Sequence, residues 1–404
     1  MCYRPAMANH VKPVRKHNFR SAARGGRSRA PIQADRAGSS PSRAIAAIDR
    51  SPVLVDRSPI PTATGIAHQL GWLEREAALD GTPLSVGWGW DARSAVAADG
   101  EPRATAQAPP RASLLHAAAP VDHLREGEST TALWERSEGR ATRLIGLTWV
   151  ETFQAVVALP TPGFAGGAPG IAGAERLAGR RLALPFDRTA VLDAHRAAAS
   201  RGLHAALALA GIFPGEVEHV DVDATVATGG PYAAELAALT SGEVDAIFVA
   251  GAAGAAAAAR VGAVVIADVG RHLDPAVRTG ATTPTAITVD AELLEREPNL
   301  VVRLLAVLLR AGAWAQLEPA EASALLARET GTAVRDVHAA HGRNWPDQLH
   351  VDLSHRKLDA LRAQHDFLVT HGFLARPVDL GAWVDPRPLG AARELLAAER
   401  VVWA

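Results

Sequence analysis

The strongest constraint on this chain is an alternation that runs through most of its length. Short apolar runs at 53–55, 84–88, 143–147, 153–159, 182–184, 218–222, 244–249, 263–266 and 285–289 are separated by segments of helical periodicity. Strands that alternate with helices pair in parallel and need cover on both faces, so the spacing predicts an α/β fold of mainly parallel sheets flanked by helices. Stiff connections near 153–160 and 283–289 would carry the chain into a second lobe and back. The expected architecture is therefore two-lobed, with 51–157 plus 285–404 as lobe 1 and 158–284 as lobe 2. No internal repeat is apparent.

Residues 1–50 stand apart from this pattern. They hold eleven Lys and Arg against Asp35 and Asp49, a surplus of +9, while the remaining residues carry 31 basic and 41 acidic side chains. Rich in Arg, Ser, Ala, Gly and Pro, this stretch has too little apolar periodicity to offset the entropy of ordering and is expected to be a disordered basic tail. It lacks the aromatic interleaving of a specific nucleic-acid reader. No continuous apolar leader precedes Ser51, which predicts a cytoplasmic protein as written, or a periplasmic one if the start codon or export route differs. The longest uncharged apolar run, 249–259, is too short for a bilayer span, so no membrane insertion is expected. The single cysteine, Cys2, lies in the tail, and no thiolate cluster can form. No cofactor is expected. His338 and His341 lack a completing metal-ligand pattern and read as a solvated helix face, and the glycine run at 163–173 lacks the Lys-Ser/Thr ending of a phosphate loop.

The stretch Arg57-Ser58-Pro59-Ile60-Pro61-Thr62 follows the first apolar run and precedes a segment in which Ile66, Leu70 and Leu73 recur at near-helical spacing. It reads as a strand-to-helix turn stiffened by two prolines, with unpaired helix N–H groups facing back toward Ser58. Ser58 and Thr62 suit an anion site, and they equally suit helix capping. Further on, Ala112 to His116 delivers a histidine at the end of a short apolar run, and Asp122, His123 and Arg125 follow in an expected loop that carries Gly127. A second helix start is expected after the strand ending at Pro185, with Asp187 or Thr189 as its cap and Arg188 between them. Trp88, Trp90, Trp134 and Trp149 suit either an aromatic pocket or core packing.

The module at 175–184, the helix-glycine-strand unit at 239–248 and the helical C-terminal third resemble the type II periplasmic solute-binding proteins that serve nitrate, taurine and aliphatic sulfonate uptake. The resemblance covers residue 51 to the end. Ser58-Pro59-Ile60-Pro61, Arg143-Leu144-Ile145-Gly146-Leu147, Leu177-Ala178-Gly179-Arg180-Arg181 and Gln364 to Thr370 are most similar to the aromatic sulfinate desulfinase branch, an enzyme on the same fold. That branch uses a cysteine, a histidine and an arginine in its cleft. The histidine matches His116, the arginine matches Arg125, and Ser58 stands where the cysteine would be. The paired glycines after the arginine are also replaced, since the sequence here is Glu126-Gly127-Glu128.

A serine hydroxyl, unlike a thiol, is not ionised near neutrality, whereas oxoanion binding needs no nucleophile. The resemblance therefore implies a substrate-binding protein of an ABC transporter, partnered by a permease, that closes on a small organic oxoanion of sulfonate, nitrate or taurine type. Ser58, Thr62, His116, Arg125, Gly127, Arg188 and Thr189 are the ligand-binding candidates. The alternative is a desulfinase-like hydrolase that cleaves a carbon–sulfur bond in aryl sulfinates with Ser58, His116 and Arg125.

Overall fold

The computed structural model describes residues 51–58, 61–88, 122–162, 164, 171–225, 229–280 and 283–402. A first sheet contains β1 (Val53–Arg57), β2 (Leu84–Trp88), β3 (Asp122–Glu128), β4 (Thr142–Thr148) and, much later in the chain, β10 (Thr285–Asp290). Its order is β2-β1-β3-β10-β4. β1 runs parallel to β2 and β3, and β10 is antiparallel to β3 and β4. The second lobe holds β5 (Gln154–Ala158), β6 (Arg181–Phe186), β7 (Glu218–Asp223), β8 (Ile247–Ala250) and β9 (Val264–Asp268). β5 lies antiparallel between β8 and β9, β6 is parallel to β7, and a parallel bridge from Leu182 to Ala246 joins β6 to the β8 segment.

The second set thus reads β7-β6-β8-β5-β9, the same arrangement as the first, with β5 in the place of β10. Each antiparallel strand is the one that enters its sheet directly from the other lobe, which reverses its direction. β5 pairs only in the second set.

The helices that matter for the site are α1 (Ala63–Gln69), α2 (Trp72–Ala78), α3 (Ser129–Ser137), α4 (Ala194–Leu209), α5 (Ala233–Ser241), α6 (Pro298–Leu317), α7 (Pro319–Thr330), α8 (Val334–His341) and α9 (His355–Thr370). On one face of the first sheet, Val53, Val55, Leu124, Ile145 and Val289 pack against apolar residues of α1, α6 and α7. On the other, Leu144, Leu147 and Ala286 pack with Leu133 and Trp134 of α3 and with Leu361, Phe367 and Leu368 of α9. Burial on both faces is what near-continuous apolar strands require. By length and composition α6 is apolar enough to cross a membrane, but Leu300, Leu304, Leu308 and Ala311 are buried in this core. Its Arg303 also pairs with Glu76 at 3.0 Å.

The seam between the lobes is partly apolar. Leu192, Ala194 and Ala197 of the second lobe share the cluster formed by α3 and α9, and Leu192 is 3% exposed. Nearby, the guanidinium of Arg201 sits 5.0 Å from the Phe367 ring, and the His204 and His371 rings are 4.5 Å apart.

Several local expectations are corrected. The first helix ends before Gly71, one of the two ends its sequence allows, and Gly71 at φ 66° starts α2. α4 begins at Ala194 with Asp193 as its cap, accepting from Arg196 N at 2.9 Å. Asp187 instead accepts from the Thr189 amide at 2.8 Å and its hydroxyl at 2.6 Å, so it turns the loop rather than capping the helix. Residues 122–128, expected as a loop, are β3, the third strand of the first sheet. Their polarity hid the strand, yet Arg125 pairs with the buried Glu135, and Glu126 accepts from the buried Thr64 and Thr148. His341 is buried, not solvated: Nδ1 lies 3.2 Å from the Glu151 carbonyl oxygen, and burial pushes its pKa down to about 4.

Candidate functional site

The parallel register of β1 and β3 sets Asp56 opposite Arg125 and Arg57 opposite Glu126. Successive strand residues point to opposite faces, so Arg57 and Glu126 face α1, while Asp56, Ser58, His123, Arg125 and Gly127 share the other face.

The α1 face is closed to a ligand anion. The fully buried Glu126 carboxylate accepts from Thr64 N at 2.7 Å, Ala63 N at 3.3 Å and Thr148 Oγ1 at 3.1 Å. Thr62 Oγ1 accepts from Gly65 N at 3.0 Å. The helix start expected to hold an anion therefore holds the protein's own carboxylate, and Thr62 is the helix cap. Burial raises the Glu126 pKa despite these donors. Behind it Arg57 pairs with Glu329, whose pKa burial pushes up to about 7, and Gln69 Nε2 donates to Glu329 at 2.8 Å.

The opposite face carries the second group of polar side chains, also largely buried. Arg125 is 7% exposed, and its Nη1 donates to Glu135 of α3 at 2.9 Å. Its Nε is buried with no hydrogen-bond partner among the described residues. A Cβ on Gly127 would lie 2.9 Å from Ser58 Oγ, 3.0 Å from Arg125 Nε and 3.5 Å from Arg125 Nη2. The Ser58 hydroxyl and the Nε–Nη2 edge of the guanidinium thus converge on one small space that exists because residue 127 has no side chain. Two roughly parallel N–H groups on a planar cation match two oxygens of a sulfinate, sulfonate or carboxylate. Leaving such a buried donor unpaired is costly, so an acceptor in this space would be stabilising.

Behind Arg125, His123 Nδ1 lies 3.6 Å from Asp56 Oδ2. Burial lowers the His123 pKa and raises that of Asp56, with the Arg125 charge opposing the latter shift. Sequence reading passed over Asp56 and Glu135. The alternation of His123, Arg125 and Gly127 along one strand face was the available signal for this polar row.

Of the sequence candidates, Ser58, Arg125 and Gly127 are brought together, and Thr62 lies on the far face of the sheet. Arg188 and Thr189 lie on the loop after β6. The Arg188 guanidinium pairs with Asp223 at 3.0 Å, its amide donates to Thr225 Oγ1 at 3.0 Å, and its side chain is 70% exposed. His116 lies outside the described residues, as do Trp90 and the side chain of Trp88. Trp134 is a core residue. The Trp149 ring lies 5.7 Å from the Arg278 guanidinium and 5.5 Å from that of Arg356. No group of three His, Cys, Asp or Glu side chains suited to a metal ion occurs among the described residues.

No family model matches the chain. A stretch of 99 residues is 31% identical to the 2'-hydroxybiphenyl-2-sulfinate desulfinase of Rhodococcus erythropolis, covering 24% of this chain and only 27% of that relative's length. Among solved structures, a cysteine-to-serine mutant of DSZB in complex with biphenyl-2-sulfinic acid aligns with a TM-score of 0.64 at 22% identity, over 85% of this chain and 99% of that one. The periplasmic aliphatic sulphonate binding protein SsuA from Escherichia coli aligns with a TM-score of 0.57 at 15% identity, over 83% and 92% of the two chains. The fold is that of the periplasmic binding proteins. In a periplasmic-binding-protein fold the cleft lies between the lobes, where strands of the two sheets end, and Ser58 and Gly127 lie at such ends of β1 and β3.

Proposed function

We propose that this chain is the substrate-binding component of an ABC importer, closing two lobes over a small organic oxoanion of the sulfonate or sulfinate class. One observation carries the reading: the unpartnered, buried Nε of Arg125 beside the Ser58 hydroxyl, in a space kept open by Gly127. Ser58, Arg125 and Gly127 form its centre, and the resemblance adds His116. The names of the solved neighbours support a small-molecule ligand, a permease partner and a periplasmic setting, in preference to the cytoplasmic expectation. The DSZB mutant was solved with biphenyl-2-sulfinic acid bound, so replacing a cysteine by serine there is compatible with a bound sulfinic acid. Ser58 stands where the desulfinase branch has its cysteine.

Thermal-shift and calorimetric titration with aryl and alkyl sulfonates and sulfinates tests this directly. Saturable binding by at least one class, lost in Arg125→Ala, is the expected result. Silence across the whole panel at millimolar ligand overturns it. The second reading, a desulfinase-like hydrolase acting on aryl sulfinates, is favoured by the 99-residue match alone. Sulfite release from an aryl sulfinate by the wild type or by Ser58→Cys would support it, and no release from either form would remove it.

A further inference from the structure

The Nε–Nη2 edge of Arg125 can serve an oxoanion only while the guanidinium stays turned toward Ser58 and Gly127, and a long, rotamer-rich side chain does not keep one orientation by itself. Its Nη1, the guanidinium nitrogen outside that edge, donates to Glu135 Oε1 at 2.9 Å. The same oxygen accepts from Arg140 Nη1 at 3.5 Å. Arg140 is fixed in turn through Nε and Nη2 to the two carboxylate oxygens of Asp290, at 3.2 and 3.3 Å. Asp290 Oδ2 also accepts from the backbone N of His123 at 3.0 Å, on the strand that carries Arg125. Glu135 is thus tied back to β3 and to β10 through Arg140 and Asp290.

The local chain path explains the placement. β3 ends at Glu128 and α3 begins at Ser129, so the helix folds back on the strand and packs against β3 and β10. That brings Glu135 over Arg125, and the two side chains are only 9% and 8% exposed. A competing acceptor stands on the same sheet face. Asp56 is opposite Arg125 in the β1–β3 register, and the Arg125 charge acts on its carboxyl. A guanidinium released from Glu135 has that carboxylate to turn to, away from the Gly127 space.

We propose that Glu135 is the positioning residue of the oxoanion site: its Oε1, backed by Arg140 and Asp290, holds Nη1 of Arg125 so that the Nε–Nη2 edge points into the space between Ser58 and Gly127. This rests on the oxoanion reading and adds to it the group that prepares the guanidinium before a ligand arrives. Glu135 acts through reach and not through charge, since a carboxylate beside Arg125 by itself weakens the attraction of a second anion. Two conservative substitutions separate these effects. Glu135→Asp keeps the charge but withdraws it by one methylene, whereas Glu135→Gln keeps the length and an acceptor oxygen but removes the charge.

The test is calorimetry with benzenesulfinate and benzenesulfonate on the wild type, Glu135→Asp, Glu135→Gln and Arg125→Ala, with circular dichroism and urea unfolding on each. Glu135→Asp should bind at least tenfold more weakly, while Glu135→Gln should stay within threefold of the wild type or bind more tightly. A merely structural role would not split the two variants; it would lower both affinities together with both urea midpoints. If Glu135→Asp binds like the wild type, or Glu135→Gln loses as much affinity as Glu135→Asp, the proposal is wrong and the Arg125 site stands. Should Glu135→Asp fail to fold, Glu135→Gln decides alone: retained affinity supports the proposal and a tenfold loss overturns it. If Arg125→Ala leaves affinity unchanged, or the wild type binds neither probe, the oxoanion reading falls and this proposal with it.

Discussion

Gly127→Ala puts a methyl group into the space between Ser58 Oγ, at 2.9 Å, and Arg125 Nε, at 3.0 Å, and so separates ligand binding from folding. Gly127 lies in β3 without positive φ, so alanine meets no backbone strain. Removing glycine from a strand reduces the freedom of the unfolded chain, worth roughly 0.4–1 kcal/mol of added stability. The atoms the new methyl would meet belong to side chains, which can yield a few tenths of an ångström at a comparable cost. The net change in folding stability should lie within about 1 kcal/mol, read as an unchanged urea midpoint. Binding should suffer far more, because the methyl occupies the position of a ligand oxygen and turns the Nε–Nη2 edge aside. Loss of one charge-assisted hydrogen bond, about 1.5–3 kcal/mol, corresponds to a roughly 10- to 150-fold weaker Kd. Calorimetry with whichever aryl sulfonate or sulfinate the wild type binds best reads this directly. A folded Gly127→Ala protein with wild-type affinity would refute the assignment of this space to the oxoanion.

Two further perturbations probe the frame around the site. Burial raises the Glu329 carboxyl from 4.5 to about 7 in the folded protein, so the native state holds this proton more tightly than the unfolded chain does. That contribution is present in full below pH 4.5 and fades as pH rises through 7, by at most about 3 kcal/mol. Glu329→Gln should flatten this part of the stability profile in urea unfolding at pH 5 and pH 7.5; parallel profiles for the two proteins would contradict it. Leu192→Ala empties a site that the second lobe fills in the α3–α9 cluster, and it should cost about 2–3 kcal/mol, the low end for a buried leucine because a loop residue can partly collapse. The same variant should enlarge the radius of gyration seen by small-angle scattering without ligand, and saturating ligand should reverse this. An unchanged scattering profile would show that Leu192 does not hold the lobes together.

What the sequence made legible follows from what burial demands of apolar residues. Strands such as β4, β5 and β10 are covered on both faces and therefore read as apolar runs, and a strand entering from the other lobe could be inferred from the stiff connections. β3 escaped this reading because its side chains answer to a different demand. Glu126 caps α1, Arg125 is held by Glu135, His123 leans on Asp56 and Gly127 keeps a space open. None of those partners is near in sequence, apart from Glu135 ten residues on, so no local pattern could reveal them.

The Ser58 turn shows the same limit from the other side. Its helix start holds an anion, the Glu126 carboxylate of the neighbouring strand. The helix terminus is satisfied from within, and Ser58 and Arg125 meet on the opposite face of the sheet. The proposed oxoanion site and this internal carboxylate site would lie back to back across one sheet. The one facing α1 holds a carboxylate of its own, and on the other face the buried Nε of Arg125 has no hydrogen-bond partner among the described residues, as the proposed oxoanion site requires.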